Sequence, residues 1–360
     1  MSEANQTVRA AFATMRREGP RRHRDIAKIL SISEAELLAA HCGPIDPDEA
    51  LTLEVTLLNT QWPEQISSIA SLGSVMALTR NTACVHEKIG IYSPVSQTGD
   101  IGLVTGEAID LRLFYKNWYV GFAVIEQTAR GVQHSLQFFD QGGVAIHKIF
   151  LRPESQSIAF EEIKHRFSAA LQTPMVSMSP HVGAKPERND AEIHIPGLQK
   201  DWYAMRDTHD FFLILKKHNV SRLQAFRLMG AAYAQQVKTG DFRRVLGLAS
   251  DKKIPVMVFV SNSGVIQIHT GIVSNISVTQ GWLNVLDSDF NLHLRQDCIS
   301  SAWIVRKPTV DGVVTSLELF DHAGKVITMI FGQRKPGFPE NIQWRALLDG
   351  LSTGGRVCAA

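Results

Sequence analysis

Apolar and polar positions follow two different periods along the chain, and each period predicts a different kind of secondary structure. Apolar residues recur every three or four positions in Arg24–His41 and within Asp201–Val237, which is typical of amphipathic helices. Between these two stretches, short runs of β-branched and aromatic residues alternate with turn residues, which predicts strands. The predicted strands are Val75–Thr79, Val85–Tyr92, Ile101–Thr105, Ala108–Phe114, Tyr119–Glu126, Gly131–Asp140 and Val144–Leu151. Strands joined by tight turns indicate a largely antiparallel sheet.

The helical stretch Asp201–Val237 contains a histidine close to a predicted helix start. The polar run 206–208 offers a helix cap before the apolar series that begins at Phe211, so His209 is expected in the first helical turn. A histidine at such a place is usually a surface residue. His218 lies nine residues further along, about two and a half turns at roughly 3.6 residues per turn, so the two rings are expected on opposite sides of the helix. They are not expected to share one metal ion.

Two helix pairs in the chain carry the same predicted capping signal. Ser221 is followed by Gln224, and Ser33 is followed by Glu36, which is the spacing of a capping box. Each pair predicts two short helices with a bend between them, and this arrangement also fits a helix-turn-helix reader of DNA. We favour a packed helical corner, because neither second helix carries the set of base-reading and phosphate-neutralising residues that DNA recognition needs.

The chain contains an internal repeat. The segment Ser135–Gly143 resembles Ser316–Gly324, and Asn81 corresponds to Asn262, with the same offset of 181 residues in both cases (316 − 135 and 262 − 81). A constant offset over about 70 residues indicates a tandem duplication of one α+β unit. Each copy ends in a predicted hairpin with an Asp-x-x-Gly turn.

The repeat and the composition together predict the domain organisation. Residues 1–172 form the N-terminal repeat, 173–200 a linker, 201–349 the C-terminal repeat and 350–360 a frayed tail. The linker assignment depends on the content of Pro, Ser, Gly and charged residues. Its prolines are Pro174, Pro180, Pro186 and Pro196.

Composition limits the classes of function. The 360 residues, 44% of them hydrophobic, are enough for two or three packed domains. The 37 Lys and Arg residues nearly balance the 35 Asp and Glu residues, so charge gives no reason to expect non-specific binding to nucleic acid or to acidic membranes. Cys42, Cys84, Cys298 and Cys358 are far apart, which disfavours disulfides and structural zinc. With no apolar targeting or membrane-spanning run, a cytoplasmic protein is expected.

The common catalytic motifs are absent from the sequence. It has no P-loop, no dinucleotide-binding glycine fingerprint, no G-x-S-x-G elbow and no H-E-x-x-H. What remains is one histidine near a helix start, with aromatic residues and arginines elsewhere in the chain. Imidazole, apolar walls and guanidinium groups together suit a flat, anionic, iron-containing ligand.

Several motifs resemble those of the cytoplasmic haemin-trafficking or haemin-degrading factors of bacterial haem-uptake systems, the HemS, ChuS and PhuS type. The matching segments are 206–212, 216–223, Arg227-Leu228, 110–114 with Trp118, and 331–335 with Trp344-Arg345. The resemblance covers nearly the whole chain. It implies two similar halves, each a large, mainly antiparallel sheet with helices packed at its edge, and one haem b held in a cleft against the C-terminal half.

The resemblance also implies roles for individual residues. His209 matches the axial ligand of the haem iron, with Asp207 or a backbone carbonyl as the acceptor for its second ring nitrogen. Arg112 matches an arginine that reaches the haem from the N-terminal half, although a strand arginine paired with Asp110 or Glu107 also fits. Arg334 matches a second pocket arginine or, alternatively, a turn arginine in water. Two weaker candidates are Lys307, for a haem propionate, and Phe259, for packing against the ring.

Two functions remain open after the resemblance. The chain is expected either to carry imported haem to a separate haem oxygenase or other degrading enzyme, or to open the porphyrin ring itself. A carrier is favoured because no flavin or nicotinamide site is visible in the sequence, and because a Pro-rich linker would permit release. The expected partners are haem and a haem oxygenase or the haem importer. Nucleic acid and membrane insertion are not expected.

Overall fold

A computed structural model describes residues 3–43, 53–173, 177–179, 186–335 and 337–353. Its helices are α1 (Glu3–Glu18), α2 (His23–Ile29), α3 (Glu34–Ala39), α4 (Trp62–Ser68), α5 (Ser157–Phe167), α6 (Ile195–Tyr203), α7 (Asp210–His218), α8 (Arg222–Met229), α9 (Asp241–Asp251) and α10 (Ile342–Thr353). Short 3-10 helices occur at Ile69–Leu72, Tyr115–Asn117, Asp190–Glu192 and Gln296–Cys298. Within these described ranges, no helix has both the length and the apolar composition that crossing a bilayer requires.

The strands of the N-terminal half are β1 (Leu53–Leu58), β2 (Val75–Arg80), β3 (Cys84–Gly90), β4 (Val95–Thr98), β5 (Ile101–Thr105), β6 (Asp110–Phe114), β7 (Val120–Thr128), β8 (Gly131–Phe139) and β9 (Ala145–Leu151). Those of the C-terminal half are β10 (Ala234–Val237), β11 (Val256–Ser261), β12 (Val265–Gly271), β13 (Ile276–Thr279), β14 (Trp282–Leu286), β15 (Phe290–Arg295), β16 (Ser301–Thr309), β17 (Gly312–Phe320) and β18 (Val326–Gly332). The predicted α+β class is therefore confirmed.

In the described part of the chain the strands form two nine-stranded sheets with orders β1-β7-β8-β9-β2-β3-β15-β14-β13 and β10-β16-β17-β18-β11-β12-β6-β5-β4. The two central hairpins have matching antiparallel registers, with Val120 opposite Phe139 in β7–β8 and Ser301 opposite Phe320 in β16–β17. The expected antiparallel sheet is thus confirmed for each half. Which strands become neighbours across the long connections was not predicted.

The strand repeat is confirmed. Strand β2 begins at Val75 and β11 at Val256, and the strands that follow keep the offset of 181 residues up to β9 and β18. The offset changes in the helical part, where Ser33 and Ser221 begin equivalent helices 188 residues apart. The additional residues lie before the strands, where a change in length does not disturb strand register.

Local turn and cap predictions are mostly confirmed. The carboxylate Oδ1 of Asp140 accepts hydrogen bonds from the backbone N–H groups of residues 142 and 144, and Asp321 does the same for residues 323 and 325. Gly143 and Gly324 both have φ of 72°, which favours glycine. The capping box at Ser33 and Glu36 is complete.

The capping box predicted at Ser221 is only half formed. Its hydroxyl accepts a hydrogen bond from the backbone N–H of Gln224 at 3.0 Å, as expected. The reciprocal bond would be accepted by Gln224 Oε1 from the backbone N–H of Ser221, but Oε1 has no hydrogen-bond partner among the described residues. The amide Nε2 donates to the backbone carbonyl of Arg188 and to Asp190 Oδ1, both at 2.7 Å. A capping spacing predicts only that a reciprocal bond is sterically possible, and here the two bonds of Nε2 orient the amide towards another segment.

The same contacts correct the predicted linker and tail. Residues 188 and 190 are bonded to α8, and α6 begins inside the range 173–200, with Leu198 fully buried. The proline at position 196 lies in the first turn of α6, where its missing N–H costs nothing. At the other end α10 continues to Thr353, so the predicted tail starts too early. Pro174, Pro180, Cys358 and residues 354–360 lie outside the described residues.

The chain divides into two compact units. Unit 1 comprises residues 1–80, 86–182 and 261–267, and unit 2 comprises residues 81–85, 183–260 and 268–360. In unit 1, Gly264 accepts a backbone hydrogen bond from Phe114, so the segment 261–267 lies beside β6. In unit 2, Ala83 accepts one from Arg295, so the segment 81–85 lies beside β15. Each unit therefore includes a short piece from the other half of the sequence.

An apolar cluster in unit 2 holds the helices α6, α7 and α8 on the face of β16 and β17. Trp202, Phe211 and Phe226 are buried in it, with ring centroids 5.1 Å apart for Trp202 and Phe211 and 6.0 Å apart for Phe211 and Phe226. Trp303 and Phe320 from the strands complete the cluster. Since fully burying one such side chain contributes roughly 1.5–3 kcal/mol, this cluster holds the start of α7 in place.

Candidate functional site

The turn between α6 and α7 is stabilised by two carboxylates. Asp207 Oδ1 accepts a hydrogen bond from the backbone N–H of His209 at 2.8 Å. Asp210 Oδ2 accepts bonds from the backbone N–H groups of Arg206 and Asp207, each at 3.0 Å. His209 itself is the N-cap residue of α7, so the expectation that it lies in the first helical turn was wrong by one residue.

The imidazole of His209 points away from the protein. Its side chain is 90% exposed, and Nδ1 lies 2.5 Å from Asp207 Oδ1. Since a carboxylate can only accept, Nδ1 carries the proton in the neutral ring, and the lone pair is on Nε2. No hydrogen bond from the described part of the chain reaches Nε2. Of the two acceptors considered for the second ring nitrogen, the structure therefore shows Asp207.

The charge of Asp207 fits this role. The backbone hydrogen bond from His209 lowers the pKa of the Asp207 carboxyl, burial opposes this shift, and the bond from the imidazole adds to the lowering. The carboxylate is therefore ionised at neutral pH.

Exposed apolar side chains accompany the imidazole on α7. Phe212 and Leu213 are 69% and 63% exposed, and they lie three and four residues after His209, which is the spacing of one helix face. Phe211, by contrast, is buried in the apolar cluster beneath the helix. The start of α7 thus presents an unblocked ring nitrogen and an apolar surface on the same side.

Arg334 lies near the same turn. Its Nη2 is 3.5 Å from the hydroxyl of Thr208, and its Nη1 is 3.8 Å from Asp311 Oδ2. The side chain is 16% exposed, so it is not the fully solvated turn arginine of the alternative interpretation. Both contacts are long, which leaves the guanidinium able to take a better anionic partner.

Lys307, the weaker propionate candidate, is buried. It lies within β16 opposite Val314, is 3% exposed, and places Nζ 2.8 Å from Glu318 Oε1. Burial lowers the pKa of the Lys307 ammonium, and the neighbouring Glu318 carboxylate opposes this shift. A direct contact with an anionic ligand would require Lys307 to leave this ion pair.

Phe259 lies close to Lys307 in the same unit. The half-buried ring of Phe259 is 5.0 Å from that of Phe331, and the Lys307 ammonium is 5.7 Å from the Phe331 ring. The structure therefore brings His209 together with Arg334, and Lys307 together with Phe259, all within unit 2.

Arg222 pairs with the same carboxylate as Lys307, that of Glu318, but was missing from the sequence-based candidates. Its Nη1 is 2.6 Å from Glu318 Oε2, and its guanidinium lies 4.9 Å from the centroid of Phe211. The available signal was Glu318 itself, an acidic residue between the two leucines Leu317 and Leu319 of a predicted strand. A buried carboxylate requires cationic partners.

Arg112 belongs to unit 1 and lies on β6. Its Nη1 is bonded to the carboxylate of Asp110, and to the backbone carbonyl of Leu111 at 3.1 Å. The side chain is 32% exposed. The pairing with Asp110 is the alternative that the sequence left open, and it occupies one edge of the guanidinium.

His218 is engaged separately from His209. Its Nε2 lies 2.6 Å from Asp201 Oδ2, and Lys217 Nζ is 2.7 Å from the same oxygen. Among the described residues, no group of three or more His, Cys, Asp and Glu side chains could hold a metal ion.

The repeated α+β units define a duplicated protein, whose C-terminal copy presents an exposed histidine supported by a carboxylate. The model of the haemin-degrading HemS.ChuX domain matches residues 31–167 and again residues 219–351. The chain therefore belongs to the HemS/ChuX family, and the double match agrees with the tandem duplication.

Curated and solved relatives extend over nearly the whole chain. The hemin transport protein HmuS of Yersinia pestis is 36% identical over 95% of this chain and 96% of its own length. The crystal structure of holo-PhuS, a heme-binding protein from Pseudomonas aeruginosa, is 41% identical with a TM-score of 0.91, covering 96% of this chain and 99% of that one. The heme degrading enzyme ChuS of Escherichia coli O157:H7 is 33% identical with a TM-score of 0.86, at the same coverage.

Proposed function

We propose that this chain is a cytoplasmic haem-binding protein of iron acquisition, which receives imported haem b and passes it to a haem-degrading enzyme. One observation carries the proposal: the exposed imidazole of His209 has its Nδ1 held by Asp207 and its Nε2 free to bind iron. Neutral imidazole is a common ligand of haem iron.

The surroundings of His209 support haem rather than a bare metal ion. Phe212 and Leu213 offer exposed apolar contact for a porphyrin face. Arg334, with two long contacts to neutral and acidic partners, offers a guanidinium to a propionate. Lys307 is the weaker propionate candidate because Glu318 already binds it, and Phe259 stays a candidate for packing against the ring.

The relatives support two versions of this function. HmuS is named for hemin transport and PhuS for heme binding, which favours the carrier. ChuS is named as a heme degrading enzyme, which supports ring opening as the second candidate. An enzyme would need reductant from outside, because the sequence has no dinucleotide-binding fingerprint. The partners of the carrier would be the haem importer and a haem oxygenase.

The first test is a haemin titration of the purified protein, followed in the same sample by ascorbate and catalase. We expect a stoichiometric complex with a sharp Soret band that persists under reductant. Bleaching that catalase does not prevent, with a bilin-like product, would instead establish the enzyme. Absence of a stoichiometric complex would refute haem binding altogether. Sequence-specific, salt-dependent retention of DNA by the apo protein would then favour the helix-turn-helix alternative.

The ligand assignment is tested with His209→Ala beside His218→Ala. We expect His209→Ala to weaken haemin binding and shift the Soret band. We expect His218→Ala to leave both unchanged, because that ring is bonded to Asp201. Since the His209 ring is 90% exposed, its removal should not change thermal stability, so any loss of binding reports on ligation. An unchanged spectrum and affinity in His209→Ala would exclude this ligand.

The role of Arg112 is tested separately by spectroscopy. We expect Arg112→Ala to retain haemin capture and to change the pH dependence of the ferric spectrum. Identical pH-dependent spectra in the variant and the parent protein would remove Arg112 from the site. Arg112 would then be interpreted as a strand arginine whose partner is Asp110.

A further inference from the structure

We propose that Asp207 is a positioning residue for haem, which keeps the proton of the His209 ring on Nδ1 and presents Nε2 to the iron. This inference rests on the proposed function and assigns a residue that ligates nothing itself. It makes the three-residue turn 207–209, rather than the histidine alone, the unit that binds the iron.

The geometry for this role is local and doubly constrained. One oxygen, Oδ1 of Asp207, lies 2.8 Å from the backbone N of His209 and 2.5 Å from its ring Nδ1. Two donors of the same residue thus converge on one acceptor. This arrangement limits both the backbone and the side-chain torsion of a histidine that has no packing around it, since the ring is 90% exposed. An exposed ring without such a bond would sample several rotamers and both tautomers.

Asp210 shows by contrast what a purely structural carboxylate does in this turn. Its Oδ2 accepts hydrogen bonds from the backbone N–H groups of Arg206 and Asp207, whereas the imidazole Nδ1 is bonded to Asp207. Both aspartates satisfy N–H groups ahead of α7, but only Asp207 bonds the ring. The turn therefore contains its own matched control.

The chemical consequence is a stronger iron ligand. A carboxylate that accepts the second N–H of a ligating histidine orients the ring and raises its basicity, and loss of such partners typically weakens metal binding about 10- to 100-fold. A more basic imidazole favours ferric over ferrous iron. We therefore expect Asp207 to bias the bound haem towards the ferric state.

The first experiment needs no haem. Apo protein labelled with 15N at histidine is examined by NMR at neutral pH, and the Nδ1 and Nε2 shifts of His209 are assigned with the His209→Ala variant. We expect the Nδ1-protonated tautomer in the parent protein and in Asp210→Asn, and a mixture of tautomers in Asp207→Asn. A parent spectrum dominated by Nε2 protonation, or one that Asp207→Asn does not change, would overturn the proposal.

The second experiment compares haemin dissociation constants, ferric spectra and reduction potentials for the parent protein, Asp207→Asn and Asp210→Asn. We expect about 10- to 100-fold weaker binding in Asp207→Asn, with a shifted Soret band and a higher potential, and a smaller loss without a spectral shift in Asp210→Asn. Equal effects of the two substitutions would show that Asp207 only supports the turn, and would refute the inference while leaving haem binding intact.

Failure of the proposed function has a different signature. If the parent protein does not bind haemin, the proposed function falls and the positioning role falls with it. The NMR experiment then reports only on the apo turn. If His209→Ala abolishes the native spectrum but Asp207→Asn does not alter it, the function stands and this inference is overturned.

Discussion

The two repeats bind equivalent helices to their sheets with charges of opposite sign. In the N-terminal repeat, the first residue of α3 is Glu34, whose carboxylate lies 2.5 Å from Lys148 Nζ and 2.5 Å from Arg80 Nη2. In the C-terminal repeat, the first residue of α8 is Arg222, whose guanidinium lies 2.6 Å from Glu318. In one repeat the helix contributes the acid and the sheet the bases. In the other the helix contributes a base, and the sheet contributes the acid together with a second base, Lys307.

The strand position equivalent to Lys148 shows how the C-terminal repeat accommodates an arginine at the start of its helix. The residue 181 positions after Lys148 is Met329, whose sulfur lies 3.3 Å from Arg222 Nη1. Had a lysine stood at that position, it would have repelled the guanidinium. The comparison teaches that the helix–sheet junction requires compensated charge and correct volume, whereas the sign of each charge is free.

The two ion-pair clusters, Glu34 with Lys148 and Arg80 and Glu318 with Arg222 and Lys307, also differ in the aromatic ring that their cations contact. Lys307 and Arg222 both approach the ring of Phe211, at 4.6 Å and 4.9 Å, and Phe211 lies two residues after His209. In the N-terminal repeat, Lys148 instead lies 5.7 Å from Phe139, a residue of the sheet itself. Only the C-terminal cluster is therefore linked to the candidate site.

The largest expected effect comes from removing the acid at the centre of each cluster. Glu318→Ala leaves Lys307 and Arg222 without their anion, and such an uncompensated buried charge costs about 3–5 kcal/mol. Hydrogen exchange should show faster opening of α7 and α8 in this variant and little change in unit 1. Glu34→Ala should destabilise by a similar amount but leave the exchange of α7 unchanged. If hydrogen exchange of α7 were equally faster in both variants, the conclusion that only the ion pairs of Glu318 support α7 would be wrong.

Lowering the pH should weaken the ion pairs of Glu318 and those of Glu34 over the same pH range. Burial alone would raise the pKa of Glu318, but the charges of Arg222 and Lys307 outweigh it and lower the pKa to about 2. The pKa of Glu34 is likewise lowered to about 2, against burial, by Lys148 and Arg80.

The sign of the pH effect follows from these lowered values. Each carboxyl takes up a proton more readily in the unfolded chain, so its stabilisation is present above the unfolded pKa and is lost as the pH falls from about 5 towards 2. Each carboxyl contributes roughly 3 kcal/mol to this loss. Urea unfolding at stepped pH should show that Glu318→Gln loses less stability on acidification than the parent protein. Equal pH slopes for the two proteins would refute the assignment.

Double-mutant cycles measure the strength of one ion pair in each repeat, and the expected free energies are moderate. We expect a coupling free energy of about 1–3 kcal/mol between Arg222 and Glu318, and of similar size between Glu34 and Lys148. Arg222 is 24% exposed, whereas Lys148 is 9% exposed, so the coupling should be the smaller one in the C-terminal repeat and should fall more with added salt. The measurement is chemical denaturation of the single and double alanine variants at two salt concentrations.

The smallest expected effect is in the helix caps. Ser33→Ala and Ser221→Ala should each cost about 1 kcal/mol. Glu36→Ala should weaken the start of α3 further, because its side chain bonds the backbone N–H of Ser33 at 2.7 Å. Gln224→Ala should instead loosen the segment before α6, because its amide bonds that segment rather than Ser221. Hydrogen exchange of residues 186–192 distinguishes the two outcomes.

Much of the fold could be predicted because it depends on local patterns. The strands and the turns at Asp140 and Asp321 follow from side-chain period and turn chemistry, and the duplication follows from a constant offset. The strand Ala108–Phe114 was extended too far, because Gly106 donates a backbone hydrogen bond to the Ile109 carbonyl and closes a turn there. The strands β1 and β4 and several helices were missed, since short elements carry weak periodic signals.

The candidate site was predictable to a smaller extent. His209 was selected by the resemblance to the haemin factors, since its place near a helix start by itself indicates only a surface residue. Asp207 could be named as one possible acceptor because it lies two residues before His209. The burial of Lys307 and its bond to Glu318 could not be predicted, since the pairing depends on the register of β16 and β17. Arg222 was missed for the same reason, because its partner is 96 residues away.

The sequence by itself determined the repeated strands, the turns at Asp140 and Asp321 and the capping serines, because these depend on residues that are near each other in the chain. The tertiary structure decided which charges meet, that Gln224 bonds a distant segment, and that α6 forms within the supposed linker. The physical reason is that burial is a property of the packed chain. Whether a lysine such as Lys307 is solvated or paired depends on which strands lie beside it, and only the folded protein determines that.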